Sequence, residues 1–368
     1  MLAVSQYTYA DGHGEGRQMA GPAKLPAHRA VGDRSVLVTG ATGFVGRHLV
    51  RTLGEMGGTA MRLFVRRGTI ADLPEPARGA STLIHGDLLD SDRVSTLCEG
   101  IDTVFHVAAL VGGRSSRGKN LDDLRRVNTD ATLTLATAAA AAGVRRFVFV
   151  SSLAAMGIPP VARIDEGMPC RPDTLYGRTK RVAEEGLLEL GQRTGLEIAI
   201  LRPCVIAGEG QAGGVLLRLF RLCRRGLFPA FGSRLELHKP MVDVEDLARA
   251  MILAADQGGP GEVYLITSGV HHTLGEMLTI AGELTGNPHP YRHVPLPLAR
   301  AAAALITPLA RLAGREGPLS PARLDLFLSD RLVDIGKARR DLGYAPHCRD
   351  LRAMLARTYA WYGMSGQL

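Results

Sequence analysis

The 368-residue chain is 46% hydrophobic, 22% charged and 5% aromatic, the proportions of a globular protein able to bury a large core. Its net charge of +8 comes with only 5 lysines among 44 basic residues. These are dispersed along the chain, singly or in pairs, without finger, zipper or stacking motifs, so no nucleic-acid partner is expected. The five cysteines lack any Cys-x-x-Cys spacing, which supports neither a zinc site nor a disulfide framework and fits a reducing, cytoplasmic setting.

Residues 1–33 carry no hydrophobic period and no basic segment followed by an apolar one, and read as a disordered extension without a leader. From Ser35 the texture changes. Short apolar runs at 36–38, 61–65, 82–85, 103–107, 147–150 and 198–201 are strand-like, and helical patterns at 44–53, 123–142 and 176–194 separate several of them. This alternation predicts an α/β fold with a doubly wound parallel sheet, and a dinucleotide-binding domain over 34–203. Beyond Arg202-Pro203 the pattern turns mostly helical, at 215–225, 244–256, 273–285 and 298–312, with a strand at 262–266. Residues 204–368 therefore read as a smaller substrate-binding part, with about 240–268 returning to the sheet.

Thr39-Gly40-Ala41-Thr42-Gly43-Phe44-Val45-Gly46 lies between the first strand and the first helix. Gly40 permits a tight turn, Gly43 lets the backbone approach a pyrophosphate, and Gly46 lets helix and sheet pack closely. The free amides of a helix start opened by Thr42, Gly43, Phe44 and Val45 would hold the negative charge. The Gly-x-x-Gly-x-x-Gly spacing resembles the fingerprint of the extended short-chain dehydrogenases/reductases.

The second strand ends Val65-Arg66-Arg67, with no acid to bond the adenine ribose. A guanidinium at Arg66 suits a 2′-phosphate, which favours NADP over NAD, although an arginine-rich chain also places arginines on its surface at random. The resemblance implies further cofactor contacts at Asp87 and Leu88, and at Val107, Ala108 and Ala109. His106, in the latter segment, reads as a packed structural residue.

Tyr176 and Lys180 stand four apart at the start of a helical pattern, so both reach one cavity. A nearby ammonium and a positive nicotinamide would pull the phenol down from a pKa of about 10. The resemblance implies a hydroxyl after the preceding strand. Aligned on Gly157 it falls on Ser152, with Ser151 as fallback, and it implies a structural or relay role for Asn128.

The resemblance extends over about 35–362, through Asp165-Glu166, Arg202-Pro203 and the run from Val242 to Ala248. Leu153 and Ala154 stand where the family's dehydratases carry an acidic pair, which argues against elimination. Met156 and Ala207 replace aromatics of many nucleotide-sugar epimerases. The stretches 296–312, 314–320 and 337–346 resemble the 3β-hydroxysteroid dehydrogenase and dihydroflavonol reductase branch.

The expectation is hydride transfer between NADP or NAD and a secondary alcohol or ketone of a hydrophobic small molecule. A nucleotide-sugar epimerase with tightly held NAD is the alternative, and a non-catalytic dinucleotide-binding protein a remote one. No membrane-spanning run of about 18 apolar residues is present. The apolar 301–312 segment reads as a core or oligomer helix, a lid, or a peripheral membrane contact. A homodimer is what the resemblance implies.

Overall fold

The structure is a computed structural model; it describes residues 34–110, 121–158, 161, 163–232, 234–312 and 321–368. The expected extension at 1–33 and the 314–320 stretch lie outside the described residues. In chain order the first strands are β1 (Ser35–Thr39), β2 (Ala60–Val65), β3 (Ser81–His85), β4 (Thr103–His106), β5 (Arg146–Val150) and β6 (Arg163–Ile164). They are followed by β7 (Glu197–Pro203), β8 (Val205–Ala207), β9 (Phe228–Phe231), β10 (Met241–Asp243), β11 (Glu262–Ile266), β12 (Tyr291–Val294) and β13 (Leu332–Val333).

Seven of these form one sheet in the order β11-β7-β5-β4-β1-β2-β3, every neighbour parallel. Central strands such as β4 and β5 are buried throughout, as expected for a sheet covered on both faces. Their side chains alternate between two cores. Val36, Val38, Phe105, Val148 and Leu201 face Leu49, Leu53 and Leu247 of the helices Phe44–Met56 and Val244–Gln257. Leu37, Val104, Phe147, Phe149 and Ile200 face Leu135, Ala139, Ala183 and Leu187 of the helices Ala131–Ala141 and Leu175–Thr194. The sheet's C-terminal edge thus opens between two helical layers, and its order reverses between β4 and β1, where such folds bind ligands.

The C-terminal part packs a separate core around Phe220, Leu278, Met354 and Tyr362. It is less purely helical than expected. Short parallel pairs β8–β10, β9–β12 and β6–β13 stitch distant segments together, and two- to four-residue strands leave too little alternation to see in sequence. The expected single helix over 123–142 is interrupted by a π turn at Arg126–Asp130, between Leu121–Arg125 and Ala131–Ala141. Within that turn the Asn128 amide reaches out of the helix to the backbone of Leu110. Among the described residues no helix is long and apolar enough to cross a membrane.

Candidate active site

The glycine turn joins β1 to the helix Phe44–Met56 at the sheet's point of reversal. Gly40 has φ +74°, and a Cβ there would sit 2.9 Å from the Ala108 amide nitrogen. A Cβ at Gly46 would lie 2.0 Å from the Gly40 carbonyl oxygen, so only glycine lets the helix start this close to the turn. Gly43 is exposed, caps the helix without a side-chain bond, and is followed by no acid in the first turn. The helix start therefore presents amides and a positive dipole end to an anion, as a dinucleotide pyrophosphate requires.

Other expected cofactor residues line the same edge. Val107 and Ala108 follow β4 and are partly buried, Ala109 is exposed, and Thr42 borders Gly68 in the turn after β2. Arg66 and Arg67 are exposed at the end of β2 and form no ion pair among the described residues. The Asp87 carboxylate is exposed and accepts from the Leu89 amide, beside a half-buried Leu88.

His106 is fully enclosed, and its ring is spoken for at both nitrogens. Nδ1 lies 2.7 Å from Thr39 Oγ1 and Nε2 lies 2.9 Å from Thr132 Oγ1. Because Thr132 already donates to the Asn128 carbonyl, we assign the proton to Nε2, with Thr39 donating to Nδ1. Burial, with Lys180 close by, pushes this imidazole down to about 3, so it is neutral.

Tyr176 and Lys180 lie in the first turns of the helix Leu175–Thr194, whose N-terminus is capped by Thr174 accepting from the Gly177 amide. A Cβ at Gly177 would lie 2.2 Å from the Ala154 carbonyl oxygen. Glycine there lets the helix press against the turn Leu153–Ala155, which follows Ser152. Ser152 and Tyr176 are thereby brought together: the half-exposed Ser152 accepts from the Ala154 amide, and its hydroxyl reaches the Tyr176 phenol and favours the ionised form. Ser151 is placed differently. It is buried, and its hydroxyl donates to Glu184 at 2.5 Å.

Lys180 is 1% exposed; its ammonium donates to the Val150 carbonyl at 2.8 Å and stands 4.5 Å from the Phe149 ring centre. Burial pushes the ammonium down to about 7, against the opposing pull of Glu184. The Tyr176 phenol is pushed up to about 12 by burial, with Ser152 pulling the other way. The expected lowering of this phenol by Lys180 is therefore not what the protein alone provides, because Lys180 is turned to Val150 and desolvation dominates.

Sequence reasoning missed the support beneath these residues. Glu184, four residues beyond Lys180, is wholly buried and accepts from Arg202 Nε at 2.9 Å and Nη2 at 2.6 Å, as well as from Ser151. A carboxylate on the buried face of an amphipathic helix is the one signal that could have found it. Asn128 bonds both backbone groups of Leu110 and donates to Thr179 at 3.2 Å, tying the segment after β4 to the Tyr176 helix.

Residues 36–267 match the model of the NAD dependent epimerase/dehydratase family. The chain belongs to this family. It is an enzyme family of the extended short-chain dehydrogenase/reductase type, as the glycine turn and sheet imply. Sterol demethylase protein B of Methylococcus capsulatus is 34% identical over 349 residues, spanning 91% of this chain and 100% of the relative. A 3 beta-hydroxysteroid dehydrogenase/Delta 5-->4-isomerase of Mycobacterium tuberculosis is 33% identical, over 86% of this chain and 90% of its own. Among solved structures, MoeE5 in complex with UDP-glucose and NAD superimposes with a TM-score of 0.69 at 29% identity, covering 90% of this chain and 99% of that one.

Proposed function

We propose that the protein catalyses reversible hydride transfer between a nicotinamide dinucleotide and a secondary alcohol or ketone on a hydrophobic, steroid-like small molecule. The observation that carries this reading is the meeting of Ser152 and Tyr176 at the edge of the sheet that also carries the glycine turn, with Lys180 buried one helical turn on from Tyr176. The names of the steroid-active relatives support the substrate class.

When bound, the dinucleotide supplies or accepts the hydride. The residues do the rest. Ser152, whose one hydroxyl proton goes to the Tyr176 phenol while Ala154 occupies its acceptor side, turns that proton to the substrate oxygen when substrate is bound. Tyr176 gives its Oη proton to that oxygen in reduction, or takes it in oxidation. Lys180 spends one N–H on the Val150 carbonyl and has two more for the ribose. Leu153 and Ala154 offer no second acid or base, which speaks against elimination. The lack of an acid after β2, with an exposed Arg66 that pairs with no described residue, supports NADP as the preferred dinucleotide.

The test is turnover of a panel of hydroxysteroids and ketosteroids with each dinucleotide, beside Tyr176→Phe. Dinucleotide-dependent turnover that Tyr176→Phe removes is expected; retained turnover would refute the assignment. The likeness to MoeE5 with UDP-glucose and NAD favours a second reading, a nucleotide-sugar epimerase. NAD retained through purification and activity on UDP-sugars without added cofactor would select it.

A further inference from the structure

Three distant segments converge on one partly buried arginine, Arg331, just before β13. Its Nη2 donates to the Gly157 carbonyl at 3.0 Å and its Nε to Ser329 Oγ at 3.1 Å. Gly157 ends the turn that begins at Ser152, and it bridges in parallel to Arg171. Cys204, immediately after β7, and Asp173 both lie within electrostatic reach of the guanidinium. Every one of these positions belongs to the loops over the C-terminal edge of the sheet, on the same side as Ser152 and Tyr176.

The charges in this corner are unfinished. Arg331 makes no ion pair with any described residue, and desolvation lowers its pKa. Asp173 lies three residues before Tyr176, and its Oδ2 is enclosed without a hydrogen-bond partner. A fully paired guanidinium and carboxylate would close on each other, as Arg202 and Glu184 do elsewhere in the molecule. Here the two groups feel each other yet stand beyond ion-pair distance. Leaving an enclosed carboxylate oxygen without a donor costs about 1–3 kcal/mol or more, so such atoms call for an explanation.

We propose that Arg331 and Asp173 form a polar subsite for a second oxygen of the substrate, a hydroxyl that accepts from Arg331 and donates to Asp173 Oδ2. A hydroxyl is the simplest group that does both at once, and it adds no charge to a pair that is already neutral. The Arg331 bond to Gly157 holds this subsite in fixed relation to Ser152. Substrate would then be held at two oxygens, one reacting and one distant, with apolar skeleton between them. This rests on the reading of Ser152 and Tyr176 as the reacting end.

The experiment compares a steroid mono-alcohol with matching diols whose second hydroxyl sits at increasing distance along the skeleton. Wild type should prefer at least one diol by about tenfold or more in kcat/KM, the worth of a hydrogen bond to a charged group. In Arg331→Gln combined with Asp173→Asn that ratio should collapse toward one. An unchanged ratio, or no diol preference in wild type, would overturn the subsite. Thermal unfolding of Asp173→Asn alone supplies the check that needs no substrate, because Arg331→Gln also removes the bonds to Gly157 and Ser329. A carboxylate kept for ligand leaves the midpoint unchanged or raised when neutralised, whereas one that serves structure lowers it by several degrees and overturns the proposal. Should wild type act on no steroid at all, the substrate class fails, and the unfolding result still decides whether Asp173 serves structure.

Discussion

Glu184 is clasped by two nitrogens of Arg202, at 2.9 and 2.6 Å, with both side chains almost entirely removed from solvent. The clasp joins the Tyr176 helix to β7, and Ser151 completes it from the end of β5. It fixes three elements of the sheet edge relative to one another. Removing one partner strands the other charge inside the protein, and such losses run to about 3–5 kcal/mol. Glu184→Ala should therefore lower stability in urea by that order, and Arg202→Met similarly. Replacing both by apolar residues should recover much of the loss. Two single variants with additive losses would show that the residues act separately.

Tyr176→Phe should reduce kcat by about two to four orders of magnitude, the usual worth of a positioned acid or base. Dinucleotide affinity, read by fluorescence titration, should change little. Ser151→Ala should spare the chemistry relative to Ser152→Ala, because Ser151 already donates to Glu184. Equal kcat losses for the two serine variants would contradict that division of roles.

Much of this site was legible because its parts are local. Gly40, Gly43 and Gly46 announce a strand-to-helix turn by spacing alone, and Tyr176 with Lys180 announces a shared helical face. What was hidden depends on distant pairing. Nothing near Glu184 in sequence says that Arg202 will meet it, and nothing near Asn128 predicts that its amide will bond Leu110 through a π turn. The direction of the Tyr176 shift was also out of reach, because it depends on how much water the fold removes rather than on which residues stand four apart. The small strand pairs of the C-terminal part are invisible for a related reason: β13 exists only because β6 is beside it.

Arg66 gives the dinucleotide prediction. A guanidinium that pairs with no described residue at the end of β2 suits a 2′-phosphate, whereas an NAD ribose offers it nothing comparable. Arg66→Ser should weaken NADPH binding by about tenfold or more and leave NADH within a small factor, as expected for losing a hydrogen bond to a charged group. Equal weakening of both, by titration at fixed ionic strength, would remove Arg66 from the site.

Lys180 makes stability depend on pH in a definite sense. Burial lowers its ammonium from 10.5 to about 7, so between those values the unfolded chain binds more protons than the native one. Stability must then rise with pH across that window, the cost of holding a buried cation being greatest below pH 7. The buried thiols act oppositely, since burial raises Cys98 from 9.0 to about 11 and unfolding releases its proton only at higher pH. The clean interval therefore lies between pH 7 and 9. There the denaturation free energy of wild type should climb more steeply with pH than that of Lys180→Met, which keeps the length of the side chain without its charge. Parallel slopes would mean that Lys180 stays protonated in the native protein, held by Glu184 and the Val150 carbonyl more strongly than burial disfavours it.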